Sequence, residues 1–159
     1  MPVIEGSVVI DAPAGGLFAL SQDYALRRAW DPFVREMRFL DGALEAGRGV
    51  RVWVRAWTGL TMEVEFTGFR PPSAVAMRMR RGPWFLERFA GTWLFKPRPE
   101  GGTTVTFRYS FTVRGRWLRP LLGPIVAWVF RRDVRARLLG LKRGAEQDGL
   151  LDRLGQPCA

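Results

Sequence analysis

The sequence predicts an α+β fold: a curved seven-stranded antiparallel sheet around a long C-terminal helix, with two short helices after the first strand. Three observations carry this expectation. Between residues 49 and 113 apolar and polar residues alternate in five runs separated by turn residues, the pattern of half-buried antiparallel strands. From about residue 117 the apolar spacing changes to steps of three and four, the pattern of an amphipathic helix. The chain has 159 residues, 47% hydrophobic and 25% charged, which is one domain's worth of chain and enough to bury a core without disulfides or metal.

Residues 3–11 read as the first strand, ended by Ala12-Pro13, where proline also suits the first turn of a helix. Leu17, Phe18 and Leu20 mark one short helix. Asp23-Tyr24 begins a second, which runs to Trp30 and stops at Asp31-Pro32 because the residue before proline is pushed out of the helical region. Phe33–Leu40 is the second strand. Val50, Val52, Val54 and Ala56 then alternate with Arg51, Trp53 and Arg55. Met62, Val64 and Phe66 follow the turn Thr58-Gly59-Leu60, and Val75, Met77 and Met79 follow Pro71-Pro72-Ser73. A longer strand after Gly82-Pro83 reaches Phe95, and Val105, Phe107, Tyr109, Phe111 and Val113 form the last. Leu118, Leu121, Leu122, Ile125, Val126, Val129, Phe130, Val134, Leu138 and Leu141 make the helical stripe. Pro124 either opens that helix or kinks it. Residues 1–148 are expected to form the single domain, and 149–159 a flexible tail.

Composition removes whole classes of chemistry. The chain has no histidine and one cysteine, Cys158. A Ser-His-Asp triad, a Cys-His pair, an imidazole metal site and an internal disulfide are therefore excluded. There is no GxGxxG and no GxxxxGK[ST] loop. No metal and no cofactor is expected. The N-terminus lacks a basic segment followed by an apolar run, and the stretch 117–130 is too short and interrupted to span a bilayer, so a cytoplasmic protein is expected. Formal net charge is +10. Residues 114–143 hold nine basic side chains against Asp133 alone, a surface suited to anionic membrane, nucleic acid or an acidic partner. Against this, Arg outnumbers Lys 23 to 2, which reads as compositional bias on a solvated face.

Four pieces of the chain, in order, resemble one family. They are Val9-Ile10-Asp11-Ala12-Pro13 with Leu17-Phe18, then Ala29-Trp30-Asp31-Pro32, then Gly91-Thr92-Trp93 with Pro97 and Gly102-Thr103-Thr104-Val105-Thr106, and finally Leu138 to Glu146. Together they resemble the polyketide cyclase/dehydrase and lipid-transport proteins of the START-like, helix-grip (SRPBCC) superfamily, over residues 3–148. The resemblance implies the helix-grip fold. It carries over no catalytic residue, because this fold hosts binders, transporters, cyclases and hydrolases.

A sheet curled around one helix leaves space between them for a ligand. With the charged residues of each strand facing out, the inner face collects Val52, Val54, Met62, Val64, Phe66, Met77, Met79, Phe85, Phe89, Trp93, Phe107, Tyr109 and Phe111, opposite Ile125, Trp128 and Val129. Trp30 joins this candidate lining, although Trp30-Asp31-Pro32 also reads as a turn that packs its indole. Strict alternation places Glu87 inside, between Phe85 and Phe89, where desolvation would raise its pKa and suit it to general acid work; a bulge would instead turn it outward. Three functions compete on these residues. The first is binding, and potentially transport, of a small hydrophobic molecule such as a lipid or polyketide-like aromatic. The second is a cyclase or dehydratase working through Glu87 or Tyr109. The third is surface binding by the basic helix to anionic membrane or nucleic acid, for which no RNP-like or KH motif is present.

Overall fold

The protein is described from a computed structural model covering residues 2–154. Strands β1 (Val3–Ile10), β2 (Val34–Phe39), β3 (Arg51–Ala56), β4 (Thr61–Arg70), β5 (Ala74–Arg81), β6 (Leu86–Pro97) and β7 (Thr103–Val113) form one antiparallel sheet. Its order is β1-β7-β6-β5-β4-β3-β2, so β1 and β2 are the edges and the rest is a meander. Helices α1 (Ala14–Gln22) and α2 (Tyr24–Trp30) connect those two edges, and α3 (Arg119–Glu146) follows β7. The predicted α+β architecture is thus present, with the sheet gripping α3.

Alternation explains the strands directly. Along β7, Thr103, Val105, Phe107, Tyr109, Phe111 and Val113 are buried while the residues between them are not. Register shifts at Val34/Glu36, Glu63/Val64, Phe66/Gly68 and Leu86/Arg88 interrupt the pairing, and such bulges increase local twist and bend the sheet. On the outer face Glu65 lies 3.6 Å from Arg78 and 3.1 Å from Arg80. Arg55 meets Glu36 at 3.7 Å, and the register sets Trp53 opposite Glu63. Trp53 is covered by the guanidinium of Arg38 at 4.5 Å and that of Arg55 at 5.5 Å.

The helices are punctuated as their sequences imply. The Asp23 carboxylate caps α2 by accepting from the backbone N–H of Ala25 at 3.0 Å and of Leu26 at 3.2 Å. α3 starts with Pro120 in its first turn and continues through Pro124 without a break. It buries Val126, Val134, Leu138 and Leu141. Small residues permit the close approach: a Cβ at Gly6 of β1 would lie 2.9 Å from a Val134 methyl, and one at Gly140 would run into the Trp30 carbonyl oxygen. Beyond α3 the chain turns at Gly149 into a short 3-10 helix, Leu150–Arg153. Leu150, in the stretch expected to be a tail, is buried there, packed against Gly144. Cys158 and the rest of that tail lie outside the described residues.

Candidate functional site

A cavity of about 110 Å³ lies between the concave face of the sheet and α3. Val54 of β3, Met62, Val64 and Phe66 of β4, Met77 of β5, Phe89 of β6, and Phe107 and Tyr109 of β7 line it. α3 closes it with Val129, Phe130, Asp133 and Arg137, and α2 and its neighbours add Gln22, Tyr24, Arg27 and Phe33. Nine of the eighteen sequence-predicted residues are therefore brought together here: Val54, Met62, Val64, Phe66, Met77, Phe89, Phe107, Tyr109 and Val129.

The others fall elsewhere. Trp30, Val52, Trp93 and Phe111 are fully buried beside the cavity and are not part of its wall. Trp93 stacks on Phe107 with ring centroids 3.8 Å apart and meets Trp30 edge-on at 6.1 Å, so these indoles hold the wall in place from outside it. Met79 and Phe85 are half-buried near the β5–β6 turn and also stay outside the wall. Glu87 corrects the strict alternation. The bulge between Leu86 and Arg88 turns it outward, Leu86 takes the inward position, and the Glu87 carboxylate meets the Arg119 guanidinium at 3.5 Å on the exposed surface. Ile125 and Trp128 correct the helix phase. They are 58% and 60% exposed, because Val126, Phe130, Val134 and Leu138 set the inward stripe and residues 125 and 128 point the other way.

Of the polar end of the cavity, only Tyr109 is among the residues expected from the sequence. Asp31, fully buried, accepts through Oδ2 from Arg27 Nε at 2.8 Å, Arg137 Nε at 3.1 Å and Arg137 Nη2 at 2.9 Å. Its Oδ1 accepts from the Phe33 backbone N–H at 3.0 Å. Arg27 also donates to the Ser21 carbonyl. Arg137 donates to the Tyr109 hydroxyl at 2.5 Å, and its guanidinium lies 4.7 Å from the ring centres of Phe33 and Phe107. Asp133, one turn before Arg137, accepts from Trp57 Nε1 at 3.2 Å.

Burial pushes Asp31 toward protonation, but the Arg137 and Arg27 guanidiniums outweigh it and hold the carboxyl below the ordinary range. Burial raises the Asp133 carboxyl, opposed by the Trp57 hydrogen bond and by Arg137. Burial also pushes the Tyr109 and Tyr24 hydroxyls up to about 12. Both phenols therefore stay protonated at neutral pH. The Tyr109 oxygen already accepts from Arg137, so its own proton is available to a ligand acceptor. Arg137 carried one signal in the sequence: it falls in phase with Val126, Phe130 and Val134, where a solvated arginine does not belong. Asp31 carried none beyond its place before Pro32. Among the described residues no three acidic or thiol side chains come together to hold a metal ion, and no helix is long and apolar enough to cross a membrane.

Solved structures share this fold. A START superfamily protein from Mycobacterium smegmatis superposes with a TM-score of 0.75 at 14% identity, covering 91% of this chain and 97% of that one. The protein TTHA0849 from Thermus thermophilus gives a TM-score of 0.71 at 22% identity, covering 89% of this chain and 95% of that one. The di-domain ARO/CYC protein BexL from the BE-7585A biosynthetic pathway gives 0.67 at 24% identity, with 91% of this chain matching 50% of that chain. No curated protein matches the sequence significantly. The model of the family described as polyketide cyclase / dehydrase and lipid transport matches residues 1–146. With its seven-stranded sheet closed around α3 and that match along nearly its whole length, the chain belongs to the polyketide cyclase / dehydrase and lipid transport family and has the START-like helix-grip fold.

Proposed function

We propose that the protein binds a small hydrophobic molecule between the sheet and α3, with the ligand's single polar group at the Arg27–Asp31–Arg137–Tyr109 end. The observation that carries this reading is a wall mostly of aliphatic, aromatic and thioether groups with a hydrogen-bonded polar cluster around Arg137 and Tyr109, the usual distribution in small-molecule sites. Size narrows the ligand. About 110 Å³ is the scale of a single ring, since an engineered apolar cavity of roughly 150 Å³ holds benzene. A longer lipid or polyketide-like ligand requires the flexible side chains of Met37, Met62 and Met77, all in the wall, to move aside, which thioethers do readily. The Gln22 side chain is a further anchor: its Oε1 is buried without a partner among the described residues, and a hydroxyl or N–H on the ligand would satisfy it.

The test is a fluorescence titration with N-phenyl-1-naphthylamine, a neutral apolar probe. Wild type is expected to bind one equivalent, and Phe89→Arg to stay folded and lose binding. Equal binding by both would overturn the reading.

One observation favours a second reading, a polyketide cyclase or dehydratase. Tyr109 and Asp133 both border the cavity, one a protonated phenol and the other a carboxyl with a raised pKa, the pair of properties that acid–base chemistry uses. The acid–base candidates then become these two, and Glu87 is not among them. Turnover of a poly-β-carbonyl model compound that is lost in Tyr109→Phe and kept in Glu87→Gln supports it; turnover lost only in Glu87→Gln contradicts it.

A further inference from the structure

We propose that the cavity's open end docks onto the anionic face of a lipid bilayer through the first half of α3 and the loops beside it. This inference stands on the outer surface and does not rest on the ligand reading.

Large apolar side chains crowd one end of the molecule. Trp84 is 68% exposed, Trp117 88% and Leu121 70%, and Ile125 and Trp128 are exposed as well. The topology makes them neighbours. β5 ends, β6 begins and β7 ends at the same end of the sheet's strands. Val113 pairs with Leu86, and the Arg114 N–H donates to the Phe85 carbonyl at 2.7 Å. Trp84 and the 114–118 link therefore sit side by side, and α3 starts from that link. On α3, Leu121, Ile125 and Trp128 follow at steps of four and three, so they form a stripe on the side opposite Val126 and Phe130. A soluble surface rarely gathers several large apolar groups without a partner.

Charge identifies the partner. Arg114, Arg116 and Arg119 flank Trp117, and the α3 stripe continues into Arg132 and Arg135; all five are exposed. Only Arg119 among them meets a carboxylate among the described residues, that of Glu87. Tryptophans ringed by arginines match a membrane interface, where indoles sit at headgroup depth and guanidiniums meet anionic lipid. A second copy fits poorly, because a two-fold interface would bring this arginine set against itself. A phosphate backbone offers nothing to Leu121 and Ile125. Leu60 and Pro83 border the cavity at the same end, so docking would set the cavity mouth against lipid.

The experiment is co-sedimentation of the full chain with large unilamellar vesicles, of phosphatidylcholine alone or with phosphatidylglycerol, at low and high salt. The expected result is binding to the anionic vesicles that weakens with salt, with a blue shift of tryptophan emission. Trp117→Ser with Trp128→Ser should lower the partition coefficient by at least about tenfold, and Arg116→Glu with Arg132→Glu should abolish the preference for anionic lipid. All four positions are exposed, so melting temperatures should stay at the wild-type value, and Phe89→Arg should bind vesicles as wild type does. Absence of binding to anionic vesicles, binding indifferent to both double variants, or a solution dimer dissolved by the tryptophan changes would overturn the proposal.

Discussion

Replacing Asp31 by Asn tests the polar end of the cavity. In the native protein one buried carboxylate answers two buried guanidiniums and one backbone N–H. Asn keeps an acceptor for the Phe33 N–H, but it removes the negative charge and leaves Arg27 and Arg137 facing each other in a medium that screens poorly. Breaking a buried ion pair from one side costs about 3–5 kcal/mol. For a domain of this length about 2–4 °C of melting temperature accompanies each kcal/mol, so Asp31→Asn should melt about 6–20 °C lower. Arg137→Met should cost less, because it leaves the neutral Arg27–Asp31 pair intact. Differential scanning calorimetry against pH adds a sign. The folded pKa of Asp31 lies below its unfolded value of about 3.9. The stabilisation is therefore complete above the unfolded pKa and disappears as pH falls through the folded one. The gap between wild type and Asp31→Asn should be constant from about pH 5 to 8 and narrow only below about 4. A variant melting within a degree or two of wild type, or a gap that widens in acid, would refute this description of the cluster.

Asp133 has the opposite sense. Its folded pKa is raised, so its contribution is full below the unfolded carboxylate pKa and is lost as pH rises through the folded value; Asp133→Asn should match wild type near pH 4 and exceed it near pH 7 in thermal scans. Gly140→Ala places a methyl against the Trp30 carbonyl and should destabilise by about 1–3 kcal/mol in urea denaturation, without changing the urea dependence.

Much of the fold can be read from the chain because alternation decides it. β3, β4, β5 and β7 each bury the side that their apolar residues mark, and the cavity wall on the sheet follows from that. What escapes reading has particular causes. At Glu87 two consecutive residues face out, and no feature of Leu86-Glu87-Arg88 distinguishes the bulge from continued alternation. α3 carries two apolar stripes, and spacing alone does not say which one meets the sheet; Gly140 and Gly144, which approach Trp30, could have set the phase. Arg137 looks like the surrounding arginines until the phase is known, and then it is the one that points inward. Asp31 is short and sits where a turn residue is expected. Its role comes from α2 and α3 meeting in space, a long-range fact that local pattern does not contain.

Whether the space between the sheet and α3 is a ligand site can be decided by a crystal structure of the protein soaked with bromobenzene, with data collected at the bromine edge. A ligand site there gives one strong anomalous peak inside the cavity, in van der Waals contact with Met77, Phe89 and Val129. A peak confined to the exposed Trp117–Trp128 surface, with the cavity closed by its own side chains, would contradict it.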